Sequence, residues 1–330
     1  MAEINHIGKY ELLEELGRGG FATVYKARDN DLDRIVALYV LHPYWTADLG
    51  FAARFPREAK TVARLRHPHI VTVYEEGEAE NQLYIAMEYL TGCTLQEFME
   101  TEGKFTLERA LPILSQIADA LDYAHTQNVI HRDVKPANVI VEGSDGEVHA
   151  VLTDFGLVKA MAKSTVLTSL GTLLGSPEYM APEQVDPEHA LEVGPAADSY
   201  AFGVVAYQMF TGRVPFPGNT PATLYAHVYQ PVPSPYDQCP DLPESAAVAL
   251  LKMLAKAPEE RFPSAGAFVA ALQEAWEAEA KSRQRTGQLK PLRIQLQAAA
   301  DSEDWVAVLE LGGKIGNLDA DDPEVAALVR

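Results

Sequence analysis

Two cysteines in 330 residues, Cys93 and Cys239, are too few and too far apart for a disulfide framework or a thiolate metal site, and this points to a reducing, cytoplasmic setting. No stretch approaches the ~18 consecutive apolar residues that cross a bilayer, so no membrane span is expected. The opening residues MAEINHIGKYELL lack a basic segment followed by an apolar one and are not read as a secretory signal. Positive charge is scarce, with 27 Lys and Arg against 47 Asp and Glu and a net charge of −20. Phosphate binding on that scale needs a basic face, so nucleic acid is not the expected partner.

What is present is enough apolar sequence, 47%, to build sizeable cores, over a length that suggests two or three structural units. Residues 10–90 read mainly as strand, with β-rich runs at Val24–Tyr25, Ile35–Leu41, Ile70–Tyr74 and Leu83–Met87. One helical stretch interrupts them, about Ala52 to Leu65, where Phe55, Ala59, Val62 and Ala63 recur near a 3.6 period. Helical patterns dominate from Leu95: Leu107–His125, Ser199–Phe210, Ala246–Leu254 and Ala265–Trp276. The expectation is an α+β arrangement, a small strand-rich lobe and a larger helical lobe with a cleft between them. Residues 277–293 carry Lys281, Arg283, Arg285, Lys290 and Arg293 with no acid between Lys281 and Arg293, plus Gly287 and Pro291, and read as a basic linker. Residues 294–330 resemble a helical hairpin with breaks at Asp301–Ser302 and Gly316–Asn317. It either docks on the preceding lobe or begins a helical repeat array.

Three segments carry chemistry. The first is Gly17-Arg18-Gly19-Gly20-Phe21-Ala22, followed by β-branched and aromatic residues rather than by a helix. That context excludes dinucleotide-binding and Walker A loops, where a helix N-terminus receives the phosphate, and leaves a hairpin turn able to cover a triphosphate. The second is His131-Arg132-Asp133-Val134-Lys135-Pro136-Ala137-Asn138, and the third, 21 positions past Asp133, is Asp154-Phe155-Gly156. Between them Val139–Val141 and Val148–Thr153 form two short β runs joined by the turn Gly143–Gly146. The hairpin returns the chain, so Asn138 and Asp154 meet as two oxygen ligands for Mg²⁺ beside a second carboxylate, Asp133.

On these motifs, residues 10–276 resemble the protein kinase family, in its bacterial Ser/Thr type. The resemblance implies a bilobal fold, with an N-lobe at 10–87, a hinge at 88–91 and a C-lobe at 92–276 after a lead at 1–9. It implies ATP and Mg²⁺ as cofactors and a protein substrate or signalling partner, and it leaves the oligomeric state, dimer included, open. By the same resemblance Asp133 accepts the substrate hydroxyl proton, Lys135 contacts the transferring phosphoryl group, and Asn138 and Asp154 hold Mg²⁺. Gly17 and Gly19 cover the phosphates. Val24, Ala37 and Ile140 sandwich adenine, Met87 is the gatekeeper, and backbone groups of Glu88 and Leu90 bind the base. Glu183 pairs with Arg261, Asp198 braces the catalytic loop, and Thr165, Thr168, Ser169 and Thr172 lie on an activation loop that phosphorylation orders against Arg132.

One position departs from the pattern. Where the family reads Val-Ala-x-Lys, this chain reads Val36-Ala37-Leu38-Tyr39. Strand alternation puts residues 37 and 39 on one face, towards the nucleotide, with Glu58 matching the family's partner for the lysine. A phenol is neutral at pH 7 and offers one neutral hydrogen bond in place of charge-assisted ones. Losing such a donor typically slows a reaction roughly 10²–10³-fold. Arg18 and Lys26 are the nearby candidates for a substitute cation. Three readings stay open: a slow kinase, a pseudokinase working as a nucleotide-binding switch or scaffold, or a substitution introduced into a parent with lysine.

Overall fold

The computed structural model describes residues 6–47, 53–143, 148–155, 176–185, 193–218 and 221–319. The chain divides into two compact units, Met1–Leu272 and Gln273–Arg330.

The first unit begins with a six-stranded antiparallel sheet. Its strands are β1 (His6–Ile7), β2 (Tyr10–Arg18), β3 (Ala22–Asp29), β4 (Arg34–Leu41), β5 (Val73–Ala79) and β6 (Gln82–Glu88), in the order β1-β2-β3-β4-β6-β5. Alternation along β4 sorts its side chains. Val36, Leu38 and Val40 join Ile7, Tyr10, Ala27, Tyr84 and Ala86 in one buried cluster, while Ala37 and Tyr39 take the opposite face. That cluster is what fixes register: a one-residue slip would exchange the two faces. A short helix α1 (Pro43–Thr46) follows β4, and α2 (Phe55–Val62) precedes β5, burying Phe55, Ala59 and Val62. The expected strand at Ile70–Tyr74 starts later, at Val73. Ile70 instead forms an isolated parallel bridge to Leu152, and Val71 N–H donates to the Leu152 carbonyl at 3.0 Å.

The chain then enters a helical lobe. A three-stranded sheet, β7 (Cys93–Thr94), β8 (Val139–Glu142) and β9 (His149–Leu152), is paired in sequence order. Gly92 packs so closely on β8 that any β-carbon there would collide with the Val141 carbonyl. Helix α3 (Leu95–Glu102) opens with a capping box, Thr94 and Glu97 each satisfying the other's backbone N–H. Helix α4 (Leu107–Thr126) buries ten residues along one side, and α5 (Pro182–Val185) is a single turn. Helix α6 (Pro195–Thr211) is buried on nearly every side, which accounts for its small and apolar composition, and it ends at Gly212 in the left-handed conformation (φ 78°). Helices α7 (Pro221–Tyr229) and α8 (Glu244–Met253) complete the lobe.

Helix α9 runs from Ala265 to Asp301, so residues 277–293, expected as a linker, are helical. Gly287 and Pro291 are exposed, and the carbonyl that Pro291 cannot bond through its missing N–H is that of Gly287, at an exposed position. The Lys, Arg and Gln residues of this stretch are good helix formers, which offsets the two breakers. The expected break at Gly316–Asn317 is also absent: α10 runs Trp305–Leu318, capped by the Asp304 side chain accepting from Ala307 N–H. Within this second unit Leu289, Leu296, Ala299, Val308 and Ile315 form a small core. The expected break at Asp301–Ser302 is present. Among the described residues no helix is long and apolar enough to cross a membrane.

Candidate active site

The cleft of the first unit is built on β-hairpin geometry. Strands β2 and β3 pair up to Arg18 against Thr23, and Gly19 N–H donates to the Ala22 carbonyl at 2.9 Å, closing the turn. A β-carbon added at Gly17 or Gly20 would meet no heavy atom within 4 Å, and one at Gly19 only the Ala22 carbonyl at 3.7 Å. The backbone of this turn is therefore exposed and uncrowded. Val24 on β3 and Ile140 on β8 are half-buried, and Ala37 is buried. Met87 is buried and pairs across the sheet with Ala37. Glu88 N–H donates to the Thr72 carbonyl at 2.9 Å, and among the described residues none bonds to the Leu90 backbone.

The loop carrying Asp133 is held from beneath. Asp198, at the start of α6 and 1% exposed, accepts the backbone N–H groups of His131 and Arg132 at 2.7 Å each, and His125 Nε2 lies 2.8 Å from it. Arg132 sits at φ 66°, a conformation uncommon outside glycine, which these bonds hold in place. His131 accepts from Asp133 N–H at Nδ1 and so donates from Nε2 to the Thr153 carbonyl, 2.8 Å away. Its ring packs on Phe155, centroids 4.6 Å apart.

Asp133, Lys135, Asn138 and Asp154 converge. Asn138 Nδ2 donates to both the carbonyl of Asp133 (2.8 Å) and its Oδ2 (3.1 Å). The Lys135 ammonium lies 3.0 Å from the same Oδ2 and 3.3 Å from Ser176 Oγ. Thr153 N–H donates to the Asn138 carbonyl at 2.8 Å, which brings Asp154 beside Asn138 although 16 positions separate them. Burial and the neighbouring Asp133 charge raise the Asp154 carboxyl to about 6, with Lys135 opposing. An acid so placed favours a cation at its side. Among the described residues no cluster of three or more His, Cys, Asp or Glu is set to hold a metal. Asn138 and Asp154 supply two oxygens, which fits Mg²⁺, an ion that keeps waters and phosphate oxygens for its other positions.

Tyr39 faces this group. It is half-buried, and burial, then the charges of Asp154 and Asp133, push its phenol well above the usual range, so it stays neutral. Glu58 sits on α2, and among the described residues none forms a hydrogen bond or ion pair with its carboxylate. Neither candidate substitute cation is at position 39: Arg18 pairs with Glu15 at 2.8 Å on the exposed hairpin, and the Lys26 ammonium lies 4.7 Å above the Tyr89 ring. Gly156, Thr165, Thr168, Ser169 and Thr172 lie outside the described residues.

Several contributors had little sequence signal. Thr153 and His125 become visible only through the bonds they make. A groove of about 580 Å³ adjoins Lys135 and Ser176 and is walled by Met99, Ala137, Tyr179 and Gln208, residues from four separate segments that no local pattern unites. The buried pair is as expected: Arg261 grips Glu183 through two bonds of 2.7 and 2.8 Å.

Residues 10–276 match the protein kinase domain family. The chain is 36% identical over 279 residues to the serine/threonine-protein kinase PrkC of Bacillus subtilis, covering 84% of this chain and 42% of that protein. It is 37% identical over 269 residues to the serine/threonine-protein kinase PknE of Mycobacterium bovis, covering 82% and 46%. It thus spans less than half the length of these relatives. Among solved structures, the Mycobacterium tuberculosis PknI kinase domain superposes with a TM-score of 0.67 at 32% identity, covering 84% of this chain and 99% of that one.

Proposed function

The chain belongs to the protein kinase family, of the bacterial Ser/Thr type, and on that premise we propose that it transfers the γ-phosphoryl group of ATP to protein Ser or Thr hydroxyls, at a rate lowered by Tyr39. The observation that carries this reading is the Asn138 amide clamped on Asp133 while the Asn138 carbonyl is tied to the residue before Asp154. One short loop and one hairpin thereby assemble a base, a cation and two oxygen ligands.

In this reading the substrate hydroxyl oxygen bonds to the γ-phosphorus, the bond to the β–γ bridging oxygen breaks, and ADP leaves. Asp133 takes the hydroxyl proton. Lys135 reaches the phosphoryl being transferred, from a position where Asp133 Oδ2 already orients it. Asn138 and Asp154 would hold Mg²⁺, which when bound would neutralise phosphate charge. Gly17 and Gly19 cover the phosphates. Val24, Ala37, Met87 and Ile140 enclose adenine, and Glu88 and Leu90 meet its edge through their backbone. The groove beside Ser176 takes the peptide segment carrying the acceptor. Phosphate on Thr165, Thr168, Ser169 or Thr172 would be received by Arg132, whose buried Nε has no partner among the described residues.

A second reading, a nucleotide-binding switch without turnover, is favoured by one observation, the neutral Tyr39 where the family carries lysine. Incubation with Mg·ATP and a generic Ser/Thr protein, read by phosphopeptide mass spectrometry, separates the two. The kinase reading expects phosphate on the chain or the substrate and none with Asp133→Asn. Thermal stabilisation by Mg·ATP with no phosphate transferred would leave the switch reading instead.

A further inference from the structure

The glycine turn between β2 and β3 has little of its own to hold it. Gly17, Gly19 and Gly20 give its backbone wide conformational freedom, and their missing side chains leave it uncrowded. Support arrives from the far end of β4. The chain leaves that strand at Leu41, opposite Ala22, and turns into α1 with Pro43 as its first residue. That single turn of helix lies against the glycine turn. His42 N–H donates to the Phe21 carbonyl at 2.8 Å, and His42 Nε2 lies 3.2 Å from Oγ1 of the buried Thr23. The Trp45 indole N–H donates to the Gly20 carbonyl at 3.4 Å, and its ring packs on Phe21 with centroids 4.9 Å apart. Tyr44 meets the Trp45 ring edge-on, centroids 5.1 Å apart.

We propose that Trp45 is a positioning residue for the phosphates of the nucleotide: by holding Gly20 and Phe21 it keeps the glycine turn in one ordered conformation before the ligand arrives. The proposal rests on the nucleotide-cleft reading and deepens it, adding a residue outside the three segments that the sequence marks for chemistry. An unsupported glycine turn loses its freedom when phosphates bind, and that ordering weakens binding. Here the ordering is complete on folding. Trp45 acts through Gly20 and Phe21 rather than on the nucleotide itself.

Titration calorimetry on the full chain tests this with ADP and with adenosine, both in excess Mg²⁺. An aromatic pair of this kind shifts an equilibrium about three- to tenfold, so Trp45→Ala is expected to weaken ADP binding by about that factor. Adenosine has no phosphate for the turn to cover and is expected to bind parent and variant alike. Trp45→Phe keeps a ring against Phe21 and is expected to recover most of the loss. Hydrogen exchange on the ligand-free chain gives a second reading: the amides of residues 18–24 should exchange faster in Trp45→Ala, with β5 and β6 unchanged. Phe21→Leu cuts the same contact from the turn side and replaces Trp45→Ala if that variant does not fold. In the double variant the two losses are expected not to add. ADP affinity in Trp45→Ala within about twofold of the parent overturns the proposal. So do an equal loss for adenosine, unchanged exchange in the turn, fully additive losses, or a Trp45→Phe as weak as Trp45→Ala. If neither adenosine nor Mg·ADP binds the parent, the cleft reading itself fails and the proposal with it, a different outcome from ADP binding that ignores Trp45.

Discussion

Arg261 and Glu183 lie 78 positions apart and meet as a buried two-point ion pair, the Arg261 side chain wholly enclosed and the Glu183 side chain 9% exposed. The same guanidinium also donates to the carbonyls of Ala255, Ala196 and Lys256. Its removal strands a buried carboxylate and three carbonyls at once. Arg261→Ala is therefore expected to cost about 3–5 kcal/mol in urea unfolding. Arg261→Lys is expected to rescue little, because an ammonium cannot span these acceptors in one plane.

Asp198 presents the same logic on the catalytic side. It accepts two backbone N–H groups and faces His125, and the residue it holds, Arg132, has a strained φ. Asp198→Ala leaves those donors unpaired in a buried place. A loss of about 2–4 kcal/mol is expected, since hydrogen bonds to a charged group contribute about 1.5–3 kcal/mol each and partial relaxation recovers some. Thermal unfolding measures it.

Tyr39→Lys is expected to raise the phosphotransfer rate by about 10²–10³, the usual effect of restoring one positioned electrostatic donor. The lysine would stand where the charges of Asp154 and Asp133 are felt at position 39. A rate unchanged by the substitution, measured at saturating Mg·ATP, would mean that another group already supplies the missing charge.

How much of this was legible in the sequence depends on whether a residue's role is local. The segments around Asp133 and Asp154 were readable because the hairpin between them is short and its β runs alternate, so proximity of Asn138 to Asp154 followed from spacing. Tyr39 was readable because strand period alone put it beside Ala37. Helix α9 was not. Gly287 and Pro291 are breakers by local rule, and only the solvent on their side of the helix, with Leu289 and Leu296 buried on the other, makes the continuous helix acceptable. The same holds for Gly316, which a helix tolerates when its neighbour Ile315 is fully buried. The groove wall from Met99 to Gln208 depends on tertiary packing of distant segments, and no sequence window contains it.

Asp154 should leave a mark on stability against pH. Its carboxyl is raised from about 3.8 to about 6 in the folded protein, so the native state binds the extra proton and is favoured at low pH. This contribution is full below about pH 4 and is lost as pH rises through 6. Asp154→Asn removes it. Compared with the parent in metal-free buffer, the variant is expected to gain stability between pH 4 and 6 and to hold the gain at pH 7–8, by up to about 3 kcal/mol. Mg²⁺ should stabilise the parent above pH 6 and leave the variant little changed. Thermal unfolding at four or five pH values, with and without Mg²⁺, gives both comparisons.

The second unit has a core of few residues, and Leu296 is its fully buried centre, with Leu289, Ala299, Val308 and Ile315 around it. A cluster this small has little packing to redistribute when a side chain is cut back. Leu296→Ala is expected to cost about 2–5 kcal/mol, a sum that a two-helix unit cannot absorb. Hydrogen exchange should then rise relative to the parent across α9 beyond Gln273 and across α10. Ile294, exposed on the same helix two positions away, supplies the control: Ile294→Ala removes as much apolar surface from solvent-facing ground and is expected to change exchange little.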